Sequence, residues 1–433
     1  MQYYSLGQQS LPVDFKTATL LGQAPDKGLY FPGTIPQMDK KWVDSISELT
    51  DLEIACTVIR PYVKECLPEK ELQRIVAETI NFEIPLVRVT ENIFSLELFH
   101  GPTLAFKDIG ARFMSRCLGY FVKGEQRKVT VLVATSGDTG GAVAHGFYGV
   151  EGVEVIILYP SGKVSAVQEK QLTTAGKNIT AIEVSGNFDD CQQLVKQAFT
   201  DADISRQRYL TSANSINVAR WLPQQFYYWF AWKQWADKST PPVFAVPSGN
   251  FGNICAGILA WKSGLPAHHF IAACNANRTI PDFLRTLDYQ PRKAIATISN
   301  AMDVGDPSNF VRVLELFSRQ TGDLQKIFSS ESISDAETRA AMLDLYKNHH
   351  YLADPHGAVA FIALERALNK TRGSKGIFLE TAHPVKFFDV VEPVTGEPVP
   401  MPPSIEKIMA AEKKALAMGT GYQDFKEYLL ATA

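Results

Sequence analysis

The chain has 433 residues, of which 45% are hydrophobic and 21% charged, and its formal net charge is −3. That length calls for two or three compact units around a large buried core. The near-neutral balance, with no basic tract, argues against a nucleic-acid partner, so an anionic substrate must be gripped by a few local groups.

The first residues, Met1-Gln-Tyr-Tyr-Ser-Leu6, carry no basic stretch ahead of an apolar core, and Lys16 is the first basic residue. No apolar run approaches a membrane span, and the cysteines at 56, 66, 117, 191, 255 and 274 show neither paired nor metal-ligand spacing. They read as small buried hydrophobes of a reducing compartment, so a cytoplasmic protein with no membrane partner and no metal is expected. Residues 1–80 form an N-terminal subdomain with helical candidates at 39–51 and 69–80, the pattern broken by Pro61-Tyr62 and by Pro68.

From about 81 to 390 the texture becomes repeated strand–turn–helix, with a smaller subdomain over about 110–200. Thr103-Leu-Ala-Phe-Lys-Asp108 places one lysine beside an aromatic ring at the head of a helix-like run; alone, it reads equally as a surface ammonium with its stem on apolar neighbours. The runs 129–135, 153–159, 243–246 and 376–379 are near-continuous apolar strand candidates alternating with helices, which indicates α/β architecture with parallel sheets covered on both faces. Residues 221–235 are densely aromatic and read as a large core helix, with an interface as the other possibility. The segment 391–433 is a C-terminal strap and helices, its stretch 393–403 carrying five prolines. In parallel sheets ligands collect beyond the C-terminal strand ends, where the turns 135–140, 247–253 and 380–384 all fall.

One of these turns, Ser248-Gly-Asn-Phe-Gly-Asn253, is broken by glycines immediately after a strand and opens a helix. Backbone N–H groups at a helix start, left clear by Gly249 and Gly252, suit a dianionic phosphate. A bare turn is the alternative for this loop taken alone. With Lys107, the two features describe a cofactor that is an aldehyde at one end and a phosphate at the other. Pyridoxal 5′-phosphate fits both, with Lys107 as the Schiff-base lysine and Ser248, Gly249, Asn250, Phe251, Gly252 and Asn253 as the phosphate cradle.

Glu97-Leu-Phe-His-Gly-Pro-Thr-Leu-Ala-Phe-Lys-Asp108 closely resembles the lysine segment of threonine synthases. Asp26-Lys-Gly-Leu-Tyr-Phe-Pro32, Ala134-Thr-Ser-Gly-Asp-Thr-Gly140, Ser212-Ala-Asn-Ser-Ile-Asn-Val-Ala-Arg220, Val246-Pro-Ser-Gly-Asn-Phe-Gly252 and Thr381-Ala-His-Pro384 resemble that family's other signatures, in its order. The resemblance runs to about residue 390. It implies pyridoxal-phosphate fold type II, with two open, largely parallel sheets flanked by helices and an additional N-terminal subdomain. It also implies conversion of O-phospho-L-homoserine and water to L-threonine and phosphate.

The resemblance assigns roles to individual positions. Lys107 is anchor and proton shuttle, removing the substrate's α-proton once displaced. Phe106 packs near the cofactor ring or is a plain core position. Thr381 hydrogen-bonds the pyridine nitrogen, where a hydroxyl makes a weaker electron sink than a carboxylate; without the resemblance it would read as a cap of the next turn. The turn Thr135, Ser136, Gly137 and Thr139 suits the substrate α-carboxylate. Asp138 stands where many superfamily members have asparagine contacting the cofactor's 3′-oxygen, so either the carboxyl or the phenolic oxygen should hold a proton. Asn214, Ser215 and Arg220 suit the substrate phosphate, against a residue-level reading of helix cap and surface arginine, with Lys163 a weaker candidate. His356 and His383 read as hydrogen-bonded structural histidines, and Asn300-Ala-Met-Asp303 is family-like without assigned chemistry. A related phospho-lyase releasing a ketoacid would share Lys107 and the cradle, whereas dehydratases and cysteine-synthase-like enzymes have no need of the Asn214–Arg220 cluster. A non-catalytic phosphometabolite-binding protein on the same fold would have no use for the Lys107 Schiff base. Oligomeric state, monomer or homodimer, is left open.

Overall fold

Strands buried on both faces cannot alternate apolar with polar side chains, and Val129–Ala134 and Gly376–Glu380 are buried along their whole length. In the computed structural model, which describes residues 1–125, 128–371 and 373–432, these strands lie in two separate sheets. The six-stranded sheet runs Phe328–Ser332, His269–Cys274, Val243–Pro247, Gly376–Glu380, Ile93–Glu97, Leu86–Arg88. Every pair in it is parallel except the last, which is antiparallel. The five-stranded sheet runs Leu416–Met418, Ile179–Val184, Val153–Pro160, Val129–Ala134, Tyr209–Ser212 and is parallel throughout. A third, two-stranded antiparallel sheet pairs Tyr3–Ser5 with Tyr30–Pro32. The expectation of open, largely parallel sheets flanked by helices holds.

The N-terminal helices differ from the sequence expectation in one instructive way. The 39–51 stretch is only a short helix, Lys40–Asp44, and a 3₁₀ turn, Ile46–Glu48. Thr50 then starts a new helix, Asp51–Val63, through a reciprocal capping box with Glu53. Pro61, expected to break the pattern, lies inside that helix. Only two residues follow it there, so one lost backbone bond is outweighed by burial of Ile59, Tyr62 and Val63. Pro68 does act as a boundary, capping Glu69–Thr79. This helix packs against Lys107–Phe121 and so bears on the segment that begins with the candidate lysine.

The aromatic run 221–235 is core: helix Gln225–Gln234 is buried from Gln225 to Trp232. At the other end, Phe388–Thr395 is a helix despite Pro393, and only the residues from 396 to 402 lack regular secondary structure before the next helix, Pro403–Ala410. The chain then crosses to the second sheet. There Leu416–Met418 adds an edge strand, and Arg208 donates from Nε to Leu429 O at 2.6 Å, clamping the last helix, Tyr422–Ala431. Among the described residues no helix is long and apolar enough to cross a membrane.

Glu380, fully buried at the C-terminal end of its strand, carries a testable consequence. Its Oε1 accepts the Asp354 N–H at 2.6 Å, while Oε2 lies against Gly357 and has no hydrogen-bond partner among the described residues. Burial, and then the charge of Asp354, raise its proton affinity well above the ordinary glutamate value of 4.5. The folded chain therefore holds this proton more tightly than the unfolded chain. The resulting stability is complete below pH 4.5 and is lost as pH rises toward the folded-state value. Glu380→Gln should match the parent in thermal melting near pH 4.5 and exceed it increasingly toward pH 8. A melting difference that does not change with pH would contradict this assignment.

Candidate active site

Lys107 opens the helix Lys107–Phe121 at the exit of a tight loop. Asp108, 1% exposed, accepts the Thr103 N–H at 2.9 Å and the Thr103 hydroxyl at 2.5 Å, while Leu104 takes a left-handed conformation with φ +56°. The loop is also pinned to the strand end that carries Thr381. Phe106 N–H donates to Thr381 O at 2.9 Å, His383 N–H donates to Leu104 O at 3.0 Å, and the Tyr227 hydroxyl donates to Phe106 O. Sequence-distant Lys107 and Thr381 are thereby brought onto adjacent backbone segments. The Phe106 ring centroid lies 5.4 Å from Lys107 Nζ.

The lysine side chain is 16% exposed, so its nitrogen lies inside the fold yet remains reachable, 3.9 Å from Asp138 Oδ2. Burial lowers its proton affinity; Asp138 opposes this, and Lys386 and Arg220 add to it, leaving the ammonium below the ordinary lysine value. A base or imine-forming amine needs such a bias toward the neutral form.

Asp138 begins the helix Asp138–Phe147 and is 3% exposed. Its Oδ1 accepts from Lys386 Nζ at 2.7 Å and from Gln168 Nε2 at 2.9 Å. Burial opposes ionisation, but Lys386 and Lys107, with the Lys386 and Gln168 hydrogen bonds, hold the carboxyl well below the usual range. The expected proton on Asp138 or on a facing oxygen is thus not required by this charge set, because a second lysine supplies the counter-charge. The turn before it depends on Gly137 at φ +132°, where a Cβ would overlap the Gln168 carboxamide. Thr135 Oγ1 accepts the N–H groups of Gly137 and Gly140, each at 2.9 Å. Its hydroxyl shapes the turn, leaving the half-buried Ser136 and Thr139 as the more accessible groups of that loop.

The glycine turn follows the strand Val243–Pro247 and leads into the helix Gly252–Lys262. Phe251 takes φ +61°, and a Cβ on Gly249 would come within 2.6 Å of Met302 Cα. The Asn300–Asp303 segment thereby acquires a role, backing the turn from behind. It is held in place by Ala301 N–H, which donates to His356 Nε2 at 3.2 Å, while His356 Nδ1 lies 3.2 Å from Asp354 Oδ2. Asn250 braces the turn sideways, donating to Ser215 Oγ at 2.9 Å and accepting the Ser308 N–H at 2.7 Å. Ser248 Oγ donates to Val246 O at 2.8 Å. Asn253, 5% exposed, accepts from the Tyr228 hydroxyl at 2.9 Å, but its Nδ2 has no partner among the described residues. A buried donor without a partner in the first helical turn, where backbone N–H groups also lack intrahelical acceptors, suits a phosphate.

Ser215 links this turn to the next. Asn214 Nδ2 donates to Ala134 O at 3.1 Å, joining it to the strand that leads to Asp138. Arg220, on the short helix Val218–Trp221, is 3% exposed. Its Nη1 donates to Ala213 O at 2.7 Å, and its Nε has no partner among the described residues. Burial pulls this guanidinium down to about 10. A surface arginine is ruled out; this is a buried cation short of an anion. Lys163, by contrast, is exposed. His383 accepts the Val385 N–H at 3.1 Å and is brought down to about 4, chiefly by burial, so it is a neutral cap of its turn.

Sequence reasoning missed Lys386, Gln168, Tyr227 and Arg312. Arg312, fully buried, donates to Ser215 O at 3.1 Å and Ile216 O at 2.6 Å and so fixes the loop that leads to Arg220. For Lys386 a signal did exist: a lone lysine in the apolar run Val385-Lys-Phe-Phe388, two residues past the recognised motif.

The family profile "Pyridoxal-phosphate dependent enzyme" matches residues 83–379, "Threonine synthase N terminus" matches 2–80 and "Threonine synthase, C-terminal" matches 357–429. The chain is 43% identical over 431 residues to the threonine synthase of Haemophilus influenzae, covering 99% of this chain and 100% of that protein. It is 42% identical over 403 residues to that of Escherichia coli, covering 93% of each. The crystal structure of threonine synthase from Escherichia coli superposes with a TM-score of 0.94 at 39% identity, covering all of both chains. That of PLP-bound threonine synthase from Brucella melitensis superposes with a TM-score of 0.92 at 33% identity, covering 99% of this chain and 98% of that one. A threonine deaminase isoform from Solanum lycopersicum, 15% identical with a TM-score of 0.56, shares the fold alone.

Proposed function

From the premise that this chain belongs to the threonine synthase family of pyridoxal-phosphate-dependent enzymes, we propose how its own residues carry that reaction. The chain is a pyridoxal-phosphate-dependent lyase that forms threonine, and its substrate is O-phospho-L-homoserine, which reacts with water to give L-threonine and phosphate. The observation that most supports this reading is the buried Arg220, whose Nε has no partner among the described residues, beside a reachable lysine of lowered proton affinity.

Lys107 would hold the cofactor's aldehyde carbon, the N–H groups and Asn253 of the 248–253 turn would hold its phosphate, and Thr381 would serve its ring nitrogen. When bound, pyridoxal phosphate supplies a sink for the electron pair left on the substrate's α-carbon after its proton is removed. The protein's work is then positioning and proton transfer. Ser136 and Thr139, with the backbone of the 135–140 turn, orient the substrate α-carboxylate. Arg220, with Asn214 and Ser215, binds the substrate phosphate and stabilises the charge that grows on it as its bond to Cγ breaks. Lys107 Nζ, biased toward the neutral amine, takes the proton from Cα.

A phospho-lyase releasing a ketoacid would use the same groups up to loss of phosphate, and the two readings part only at the water-addition step. We place the reaction in the cytoplasm, consistent with six cysteines that are all unpaired. The lysine assignment is tested by adding pyridoxal phosphate, reducing with borohydride and mapping the modified peptide. The phosphopyridoxyl group is expected on Lys107, and its appearance on another lysine would overturn the assignment.

A further inference from the structure

Two lysines share one buried carboxylate, and only one of them can be the cofactor-holding amine. Lys386 is fully buried, yet its Nζ makes an ion pair of 2.7 Å with Asp138 Oδ1 and donates to Thr103 O at 2.9 Å. Lys107 Nζ approaches the other oxygen, Asp138 Oδ2, at the longer distance of 3.9 Å. Thr103 is also the residue whose N–H and hydroxyl are tied to Asp108, next to Lys107, so Lys386 touches the loop that aims Lys107 as well as the anion facing it. An ammonium with no exposed surface would be costly unless its partner stayed ionised, and the pair is nearly neutral as a unit.

We propose that Lys386 is a positioning residue that neutralises the charge of Asp138 and, through that shared carboxylate, sets how readily Lys107 gives up its proton. Lys386 neutralises most of the charge that Asp138 would otherwise direct at Lys107. The remaining neighbours are arranged so that none replaces it. Gln168 and Gln171, on the helix Ala166–Thr173, bring uncharged amides to Asp138 and to Thr103 O. The charged residues of that helix turn elsewhere, Glu169 to Lys413 and Lys170 to Ala411 O. Asp108 is occupied by Thr103, Arg220 adds a second positive field on Lys107, and His383 is neutral. The consequence for catalysis rests on the reading of Lys107 given above; the electrostatic coupling itself does not.

The coupling has a signed test that needs no turnover. In the full-length chain freed of cofactor, the pH dependence of Lys107 acylation is followed peptide by peptide by mass spectrometry. Lys386→Met leaves one uncompensated carboxylate facing Lys107, and the midpoint should rise by about one pH unit, a tenfold change in proton affinity. Asp138→Asn leaves Lys386 uncompensated beside Lys107 and should lower it by about the same amount. The double variant removes both charges and should return to within about half a unit of the parent. A merely structural role would not reverse sign between the two single changes. Midpoints that do not move, or that move the same way in both, overturn the proposal. Should Lys386→Met alone fail to fold, the double variant must restore folding, because the fault would then be an unpaired buried Asp138; a double variant that also fails overturns the proposal. Failure to find the phosphopyridoxyl group on Lys107 would sink the functional assignment while leaving this titration readable.

Discussion

Lys107→Ala should fold as the parent does and form threonine at least about 10⁴-fold more slowly, because one nitrogen is lost from two successive tasks. Positioned proton transfer alone is worth about 10²–10⁴ in rate, and the covalent hold on the cofactor is lost with it. The loop that presents this nitrogen does not depend on it. Asp108 holds Thr103, Phe106 N–H holds Thr381 O, and the Tyr227 hydroxyl holds Phe106 O, all through groups other than the lysine side chain. Asp138 keeps Lys386 as its counter-ion in the variant. Thermal stability should therefore be little changed, separating loss of chemistry from loss of fold. Measuring kcat by amino-acid chromatography beside a melting curve checks both halves. Activity within tenfold of the parent would remove Lys107 from the mechanism.

Arg220→Met should move activity and stability in opposite directions. In the free chain the guanidinium is buried, with a hydrogen bond to Ala213 O and an Nε that has no partner among the described residues, an arrangement that costs stability. Methionine fills a similar volume without that cost, so the melting temperature should hold or rise. In the proposed role Arg220 is the main cation of the substrate phosphate, and charge-assisted hydrogen bonds of this kind are worth about 2–4 kcal/mol, so kcat/KM should fall about 30- to 1,000-fold. If the arginine grips ground state and transition state alike, the loss appears in KM; if it acts mainly on the departing phosphate, kcat falls as well. Activity and stability falling together would identify Arg220 as a packing residue.

What could be read from the sequence divides along a physical line. The tight 248–253 turn was legible because close backbone approach demands glycine, and Gly249 has no room for a Cβ against Met302. The strands were legible because a doubly covered sheet makes apolar runs, and 129–134 and 376–380 are such runs. Pro61 was misread because local propensity is overruled when the residues around it are buried. Thr135 reads as a ligand hydroxyl, yet its Oγ1 is taken up by two N–H groups of its own turn, a choice that depends on the turn's exact path. Gln168 was invisible as a site residue because its meaning lies only in what it faces, and the lone lysine of an apolar run at Lys386 gave no hint that it too faces Asp138. The Asn300–Asp303 segment had no readable chemistry because its part is steric: it stands behind Gly249.

The most direct test of the central assignment follows amino acid and phosphate together. Purified protein is given pyridoxal phosphate and O-phospho-L-homoserine, and threonine, 2-oxobutyrate and phosphate are measured over time. Threonine and phosphate accumulating in equal amounts is the expected result. Phosphate accompanied by 2-oxobutyrate without threonine would contradict it, and would assign the same lysine, cradle and arginine to a phospho-lyase.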